Sequence, residues 1–191
     1  MDRSRSDIPW SCRCGAVRGT LDPSDGVHVR CFCRWCRGAA ILAGAPDPGP
    51  NGVPLFQTSP HRMRIVAGSD MLHPFRFSPR SFVRRWRAEC CGDVLFSSGD
   101  GPFWGVIGPV DRILDDPSAL GPERVRAFLP PRRPGGWTRT EGVATLLGAL
   151  VRRTATAQIN GRWRDDPLAV DGHYPEWRLA TNEERASVPL P

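Results

Sequence analysis

Seven cysteines constrain this chain more than any other feature, because all of them fall within three short clusters. The clusters read Cys12-Arg13-Cys14, Cys31-Phe32-Cys33-Arg34-Trp35-Cys36 and Cys90-Cys91. Residues 1–10 are polar and charged and lack the apolar stretch of a secretory signal, so we expect a cytoplasmic protein. An odd number of clustered cysteines in a reducing compartment indicates metal binding rather than a disulfide framework.

The spacing within the clusters suits metal coordination. Residues i and i+2 of a strand project to the same side, so Cys12 and Cys14 can approach one ion, and Gly15 allows the chain to turn beside it. The second cluster adds a C-x-x-C turn, so that three sulfurs fall within six residues. Cys90 and Cys91 are adjacent and would diverge on a regular strand, so both can bind one ion only where the chain bends.

Thiolates without interleaved histidines favour zinc over magnesium, calcium or manganese. Seven sulfurs divide into four, which close a structural site, and three, which leave one coordination position open to water or substrate. We therefore expect two zinc ions and treat all seven cysteines as candidate ligands. Those residues are Cys12, Cys14, Cys31, Cys33, Cys36, Cys90 and Cys91.

Composition excludes several other classes of protein. The 26 basic residues are all arginine, so a Schiff-base lysine and a P-loop lysine are both ruled out. The 20 glycines and 20 prolines predict many turns and short strands rather than a bundle of long helices. The longest apolar runs, at 39–43 and 143–147, are too short to cross a bilayer.

Four segments carry a resemblance to a known family. They read Ser11-Cys12-Arg13-Cys14-Gly15-Ala16-Val17, Cys31 to Ala39, Val66 to Leu72 and Trp86 to Leu95. In this order and spacing they resemble the glutathione-dependent formaldehyde-activating enzymes, the family that includes the centromere protein V-like proteins. The resemblance covers roughly residues 8–116 and implies a mainly β, Mss4-like or β-tent zinc-binding fold.

The resemblance also implies roles for the cysteines. A structural zinc would use Cys12, Cys14 and Cys91, and an open zinc held by Cys31, Cys33 and Cys36 would receive the thiol of glutathione. The implied activity is that of a carbon–sulfur lyase, in which the thiol adds to a small aldehyde such as formaldehyde, and the three cysteines of the open site are the candidate catalytic residues.

One position departs from the family pattern. Ala88 stands where the first closing cysteine is expected, and Cys90 follows two residues later. Cys90 can replace the missing ligand of the structural site or fill the open position of the other site, which would abolish the chemistry. Glu89 is a third candidate ligand.

The chain divides into a zinc-binding β domain at residues 8–116 and a C-terminal extension at 117–191. Within the extension, residues 123–128 suit a short helix, and residues 130–136 read as a linker. Apolar residues at three-and-four spacing predict a helix over about 138–158 whose stripe packs on the β domain. The tail beyond 160 shows no strong period.

Several alternatives remain open on the sequence. Arg13, Arg34 and Arg37 are either solvated charges or groups that lower thiolate pKa values and pair with an anionic thiol. His28 is three residues from Cys31 but more typical of a hydrogen-bonded histidine. The alternation in 84–87 suits a strand better than a nucleic-acid surface. A non-catalytic zinc-stabilised binding module and a Cys90–Cys91 redox sensor are the competing functions, and neither a membrane nor a particular oligomeric state is predicted.

Overall fold

The computed structural model describes residues 7–101, 105–133 and 136–189. In chain order the strands are β1 (Ile8–Ser11), β2 (Arg18–Leu21), β3 (Val27–Cys31), β4 (Val53–Gln57), β5 (Met63–Ala67), β6 (Leu72–Arg76), β7 (Arg84–Ala88), β8 (Asp93–Ser98), β9 (Ile107–Pro109), β10 (Val125–Leu129), β11 (Arg139–Glu141) and β12 (Arg178–Leu179). The helices are α1 (Arg34–Leu42), α2 (Val143–Ile159) and α3 (Asn182–Ala186). The predicted mainly β fold class, with a helix in the C-terminal part, is confirmed.

The strands form three sheets in the described part of the chain. The first has the order β1-β2-β5, the second β11-β10-β3-β4 and the third β12-β6-β7-β8-β9. All pairs are antiparallel except β10 with β3 and β12 with β6, which are parallel. Both parallel partners lie beyond residue 116, so the C-terminal extension completes two of the three sheets.

The first cysteine pair lies in the turn of a hairpin, beside the glycine at which the sequence predicted a turn. Residues 10–21 form an antiparallel hairpin, in which β1 pairs with β2 and the intervening segment turns at Gly15, whose φ is +77°. The second cysteine cluster spans the junction of β3 and α1, a helix that the sequence analysis did not predict. Each cluster therefore begins where a strand ends.

The segment predicted as a short helix at 123–128 is a strand. In β10, Val125, Ala127 and Leu129 are buried, whereas the residues between them are exposed. This alternation has the two-residue period of a strand, and pairing with β3 supplies the backbone hydrogen bonds. The pairing with a distant strand therefore overrides the local helical pattern.

The long helix begins later than predicted. β11 occupies residues that the stripe had assigned to the helix, and Gly142 follows with a φ of +77°. A Cβ atom at Gly142 would lie 2.4 Å from the Arg124 carbonyl oxygen, so the turn into α2 requires glycine. Only part of the predicted stripe packs inward: Leu146 contacts the core beneath β3, whereas Leu147 is 53% exposed.

The tail has more structure than its sequence pattern suggested. β12 pairs with β6, and α3 has a capping box between Thr181 and Glu184. Val188 is buried and packs against Gly38 of α1, where an added Cβ would lie 2.8 Å from the valine methyl. The end of the described chain therefore supports the helix that follows the second cysteine cluster. None of the helices in the described ranges has the length and apolarity needed to span a membrane.

Candidate metal centres

The seven cysteines gather into two groups, each with its sulfur atoms within 4.8 Å of one another. The four-sulfur cluster consists of Cys12, Cys14, Cys90 and Cys91. The three-sulfur cluster consists of Cys31, Cys33 and Cys36. All seven cysteines are free thiols rather than disulfides.

Two turns build the four-sulfur cluster. Cys12 and Cys14 flank the turn after β1, and Cys90 and Cys91 occupy the turn between β7 and β8, where Gly92 has a φ of +74°. The buried side chain of Asp93 joins the turns by accepting a hydrogen bond from the Arg13 backbone N–H at 3.1 Å. The predicted bend at the adjacent cysteines is therefore present.

The sulfur separations fit a tetrahedral metal site. The Sγ atom of Cys90 lies 3.7 Å from that of Cys12 and 3.4 Å from that of Cys14, and Cys91 Sγ is 3.9 Å from Cys90 Sγ. A tetrahedron with zinc–sulfur bonds of about 2.3 Å has edges of about 3.8 Å, whereas a disulfide bond is about 2.05 Å long. The donor set and its dimensions therefore suit one zinc ion.

Cys90 lies where the first of its two predicted alternatives placed it, in the group that would form the structural site. It lies with Cys12 and Cys14, not with the three-sulfur cluster, and Ala88 is buried at the end of β7. Glu89 instead faces His73 at 3.5 Å and is excluded from the sulfur group. The bent turn between β7 and β8 therefore brings a fourth sulfur to the same cluster.

The three-sulfur cluster forms at the junction of a strand and a helix. Cys31 ends β3, Cys33 is the N-cap of α1, and Cys36 lies in the first helical turn. The Cys33 sulfur accepts a hydrogen bond from the Cys36 backbone N–H at 3.3 Å, which satisfies one free N–H at the start of the helix. Within the described residues, no fourth cysteine, histidine or carboxylate joins this group.

A buried arginine accompanies the three sulfurs. Arg85 of β7 is 7% exposed, and its Nη2 donates to the Cys36 sulfur at 3.5 Å. In the described part of the chain, the negative groups acting on it are these three thiols, which raise the pKa of its guanidinium against the effect of burial. A buried guanidinium needs a negative partner, so Arg85 favours an anionic sulfur cluster.

The metal-free thiols of the three-sulfur cluster are not equivalent. Hydrogen bonds from Cys31 and Cys36, together with the charge of Arg85, hold the pKa of Cys33 well below its usual range. The same contacts and burial raise the pKa of Cys31. Arg85 and the N-terminus of α1 therefore favour negative charge on this group of sulfurs.

The thiols of the four-sulfur cluster also differ. Burial acts to raise the pKa of Cys12. The hydrogen bond from the Val17 backbone N–H and contacts with Cys14 and Cys90 outweigh this effect and lower the pKa to about 7. Desolvation and the neighbouring thiols raise the pKa of Cys90 to about 12. The hydrogen bond from the Val17 backbone N–H therefore favours negative charge at Cys12.

The arginines that flank the cysteines have partners other than sulfur. Arg37 forms two hydrogen bonds with Asp47, and Arg34 lies over the Trp35 ring at 4.7 Å. Arg13 donates to the carbonyls of Cys91 and Ala43, thereby linking the four-sulfur cluster to the end of α1. Sequence analysis missed Arg85, because a buried arginine within the run 84–87 resembles its outward-facing neighbours.

His28 and two tryptophans near the cysteines in sequence contact groups other than sulfur. His28 contacts Asp111 at 2.6 Å and the Gly121 carbonyl at 2.8 Å rather than a sulfur. Trp86 is 1% exposed in the core, and Trp35 stacks on Phe77. Trp104 lies outside the described residues.

A sequence profile described as "Family of unknown function (DUF6151)" matches residues 4–171, which include both cysteine clusters and α2. The chain belongs to the DUF6151 family. No curated protein matches this DUF6151 chain. A crystal structure of a Rhodobacter sphaeroides protein is similar to it, with 22% identity and a TM-score of 0.42, covering 60% of this chain and 96% of the other.

Proposed function

We propose that this protein binds two zinc ions, a structural ion in the four-sulfur cluster and an open one in the three-sulfur cluster, where a small thiol binds. The observation that carries the proposal is the division of the seven sulfurs into four and three, with no fourth metal ligand among the described residues near the second group. Soft thiolate donors favour zinc, and reduced cysteines are consistent with the expected cytoplasmic location.

Charge supports an ion in the three-sulfur cluster. Three thiolates and one divalent cation leave a single negative charge, which matches the single positive charge of the buried Arg85. Without a cation, three thiolates at this buried position would repel one another strongly, and only part of the cluster would ionise. Zinc at this site would lower the pKa of a coordinated thiol and so supply a nucleophilic sulfur near neutral pH.

The reaction we propose is the addition of a thiol such as glutathione to an aldehyde such as formaldehyde. A sulfur–carbon bond forms, the carbonyl π pair moves to oxygen, and the proton released by the thiol ends on that oxygen, so no further reactant is needed. The resemblance to the glutathione-dependent formaldehyde-activating enzymes supports this chemistry. Cys31, Cys33 and Cys36 would bind the zinc ion and so orient the thiol, while Arg85 would stabilise the negative charge of the three sulfurs.

A second candidate is a zinc-stabilised binding module without catalysis. The observation that favours it is the outer face of α2, where Val143, Leu147 and Val151 are each about half exposed or more. Trp137, just before β11, is 95% exposed. Apolar side chains of this size on one surface are typical of contacts with another macromolecule.

Cobalt substitution separates the two candidates. Native mass spectrometry first checks for two ions per chain, and the visible spectrum of the cobalt protein is then recorded with and without millimolar glutathione. We expect thiol binding to change the cobalt spectrum, and S-methylglutathione, which lacks a free thiol, serves as the control. An unchanged spectrum with both ions bound would remove the proposed thiol chemistry and leave the binding module.

A further inference from the structure

A pocket lies directly beside the three-sulfur cluster. One wall is α1, where Cys36, Ala39 and Ala40 follow one another at helical spacing. The opposite side comes from β4, β8 and β9 and from the Pro/Gly segment before β4. Within this segment, at 45–54, Ala45, Pro46 and Pro48 line the pocket.

The size and walls of the pocket define what it can hold. Its volume is about 160 Å³, and aliphatic and aromatic groups such as Leu55, Val94 and Phe96 form most of its lining. An apolar protein cavity of about 150 Å³ is large enough to bind benzene. Formaldehyde has only two non-hydrogen atoms and would leave most of this volume unused.

The two arginines at the pocket already have negative partners. Arg85 donates to the Cys36 sulfur, and Arg112 binds the carboxylate of Asp93 and the Val94 carbonyl. Asp93 is 1% exposed, so its charge is held against Arg112 away from solvent. Since both guanidinium groups are compensated, the pocket does not require an anionic ligand, and a neutral one fits it better.

We propose that this pocket binds the apolar group of a neutral aldehyde that carries a compact aromatic or branched aliphatic group of about six to eight non-hydrogen atoms. The aldehyde identity rests on the proposed function, whereas the apolar occupant follows from the pocket alone. The carbonyl end faces Cys36, and the thiol adds to it with the same balance of bonds and protons as in the addition to formaldehyde.

Binding of an unreactive probe tests the occupant. Fluorobenzene has the predicted size and lacks the carbonyl, and its binding to the zinc-loaded full chain can be followed by ¹⁹F NMR. Ala40→Leu fills the pocket from α1, and we expect it to weaken binding by about tenfold or more. Ala144→Leu makes the same change at an exposed position of α2 and should bind as the wild type does.

The filled variant must fold for this comparison, so its zinc content and thermal midpoint are measured first. Gly108→Ala provides a second change from the β9 side, since its new Cβ would lie 3.1 Å from Ser97 Oγ and 3.6 Å from Leu55 Cδ1. We expect Gly108→Ala to weaken the binding of fluorobenzene as well. Absence of binding to the wild type, or binding to both filled variants that is as tight as to the wild type, would overturn the proposal.

Competition with aldehydes separates this proposal from the proposed function. With thiol present, benzaldehyde should displace fluorobenzene and be consumed faster than without protein, and Ala40→Leu should reduce that rate more than the rate with formaldehyde. If fluorobenzene binds but the cobalt protein does not respond to thiol, the proposal of an apolar ligand stands and its identification as an aldehyde is overturned. A cobalt response without fluorobenzene binding would keep the thiol site and overturn the pocket proposal.

Discussion

The two cysteine clusters differ in what stabilises the negative charge of their thiolates. In the four-sulfur cluster, Cys14 and Cys90 are exposed, and water can screen the charge of the thiolates. In the three-sulfur cluster, Cys31 and Cys36 are buried, and Arg85 lies against them. The buried cluster has one sulfur fewer and one cation more, so less negative charge is left uncompensated in the interior.

The clusters also differ in what their chain segments hold together. The four-sulfur cluster joins two turns that are 78 residues apart in sequence, between the first sheet and the third. The three-sulfur cluster lies within six consecutive residues at one strand–helix junction. Closing a long loop removes more freedom from the unfolded chain, so the first cluster should contribute more to the stability of the fold.

Loss of one sulfur from each cluster tests this difference and should give the largest effect. We expect Cys90→Ser to lose one zinc ion and to unfold at a much lower temperature, because structural zinc contributes about 10 kcal/mol or more in small zinc domains. Cys33→Ser should lose the other ion and keep most of the thermal stability. Native mass spectrometry counts the ions, and calorimetry follows unfolding. Retention of both ions by Cys90→Ser would contradict the four-sulfur assignment.

Replacing the cation of the buried cluster should give the next largest effect. Arg85→Met keeps most of the side-chain volume but leaves the sulfur charge unpaired, a change that costs about 3 to 5 kcal/mol at buried ion pairs. We expect zinc to leave the three-sulfur cluster at a lower chelator concentration, while release from the other cluster is unchanged.

The control for this variant is Arg84→Met on the same strand, because Arg84 pairs with Asp100 rather than with sulfur. Zinc release from Arg84→Met should follow the wild-type curve at both clusters, whatever happens to its overall stability. If Arg85→Met also releases both ions as the wild type does, Arg85 does not compensate the cluster.

The sequence predicted the cysteine groups better than their surroundings. The C-x-C and C-x-x-C spacing predicted the turns around Cys12 and Cys31, and the mainly β class followed from the glycine and proline content together with the family resemblance. The role of Arg85 depends on sheet three placing β7 against α1, which no local pattern encodes. The same holds for β10, whose strand conformation comes from pairing with β3, nearly a hundred residues earlier in the chain.

Support from the tail should affect the two clusters unequally. Val188 packs on Gly38 in the helix that carries Cys36 and belongs to the core cluster around that helix. Val188→Ala should lower the free energy of unfolding by about 1 to 2 kcal/mol. It should also speed zinc release from the three-sulfur cluster more than from the other.

Chelator-induced zinc release, followed at both clusters, measures this effect. Val170→Ala is the matched control, because Val170 is also in the tail but 69% exposed. Equal acceleration at both clusters would mean that the tail stabilises the protein as a whole rather than α1 in particular.

The smallest expected effect separates ordinary titration from metal binding. Burial raises the pKa of Asp166, against the hydrogen bonds that it accepts from Tyr174 O–H at 2.6 Å and Leu168 N–H at 2.9 Å. Protonated Asp166 contributes fully to the stability of the fold at pH values below the carboxyl pKa of the unfolded chain, about 3.9. This contribution is lost as the pH rises through the higher pKa of the folded protein. Metal binding to thiolates has the opposite dependence, since protons compete with the ion in acid.

Asp166→Asn should therefore remove the part of the stability profile that falls with rising pH and leave the rise from metal binding at both clusters. Urea unfolding between about pH 4 and 8, with zinc and with chelator, measures the two contributions separately. Asp165→Asn at the exposed neighbouring position is the control and should follow the wild-type profile. A difference between Asp166→Asn and the wild type that stays constant with pH would show that the carboxylate does not titrate across this range, so that the whole pH dependence would belong to the sulfur clusters and the remaining ionisable groups.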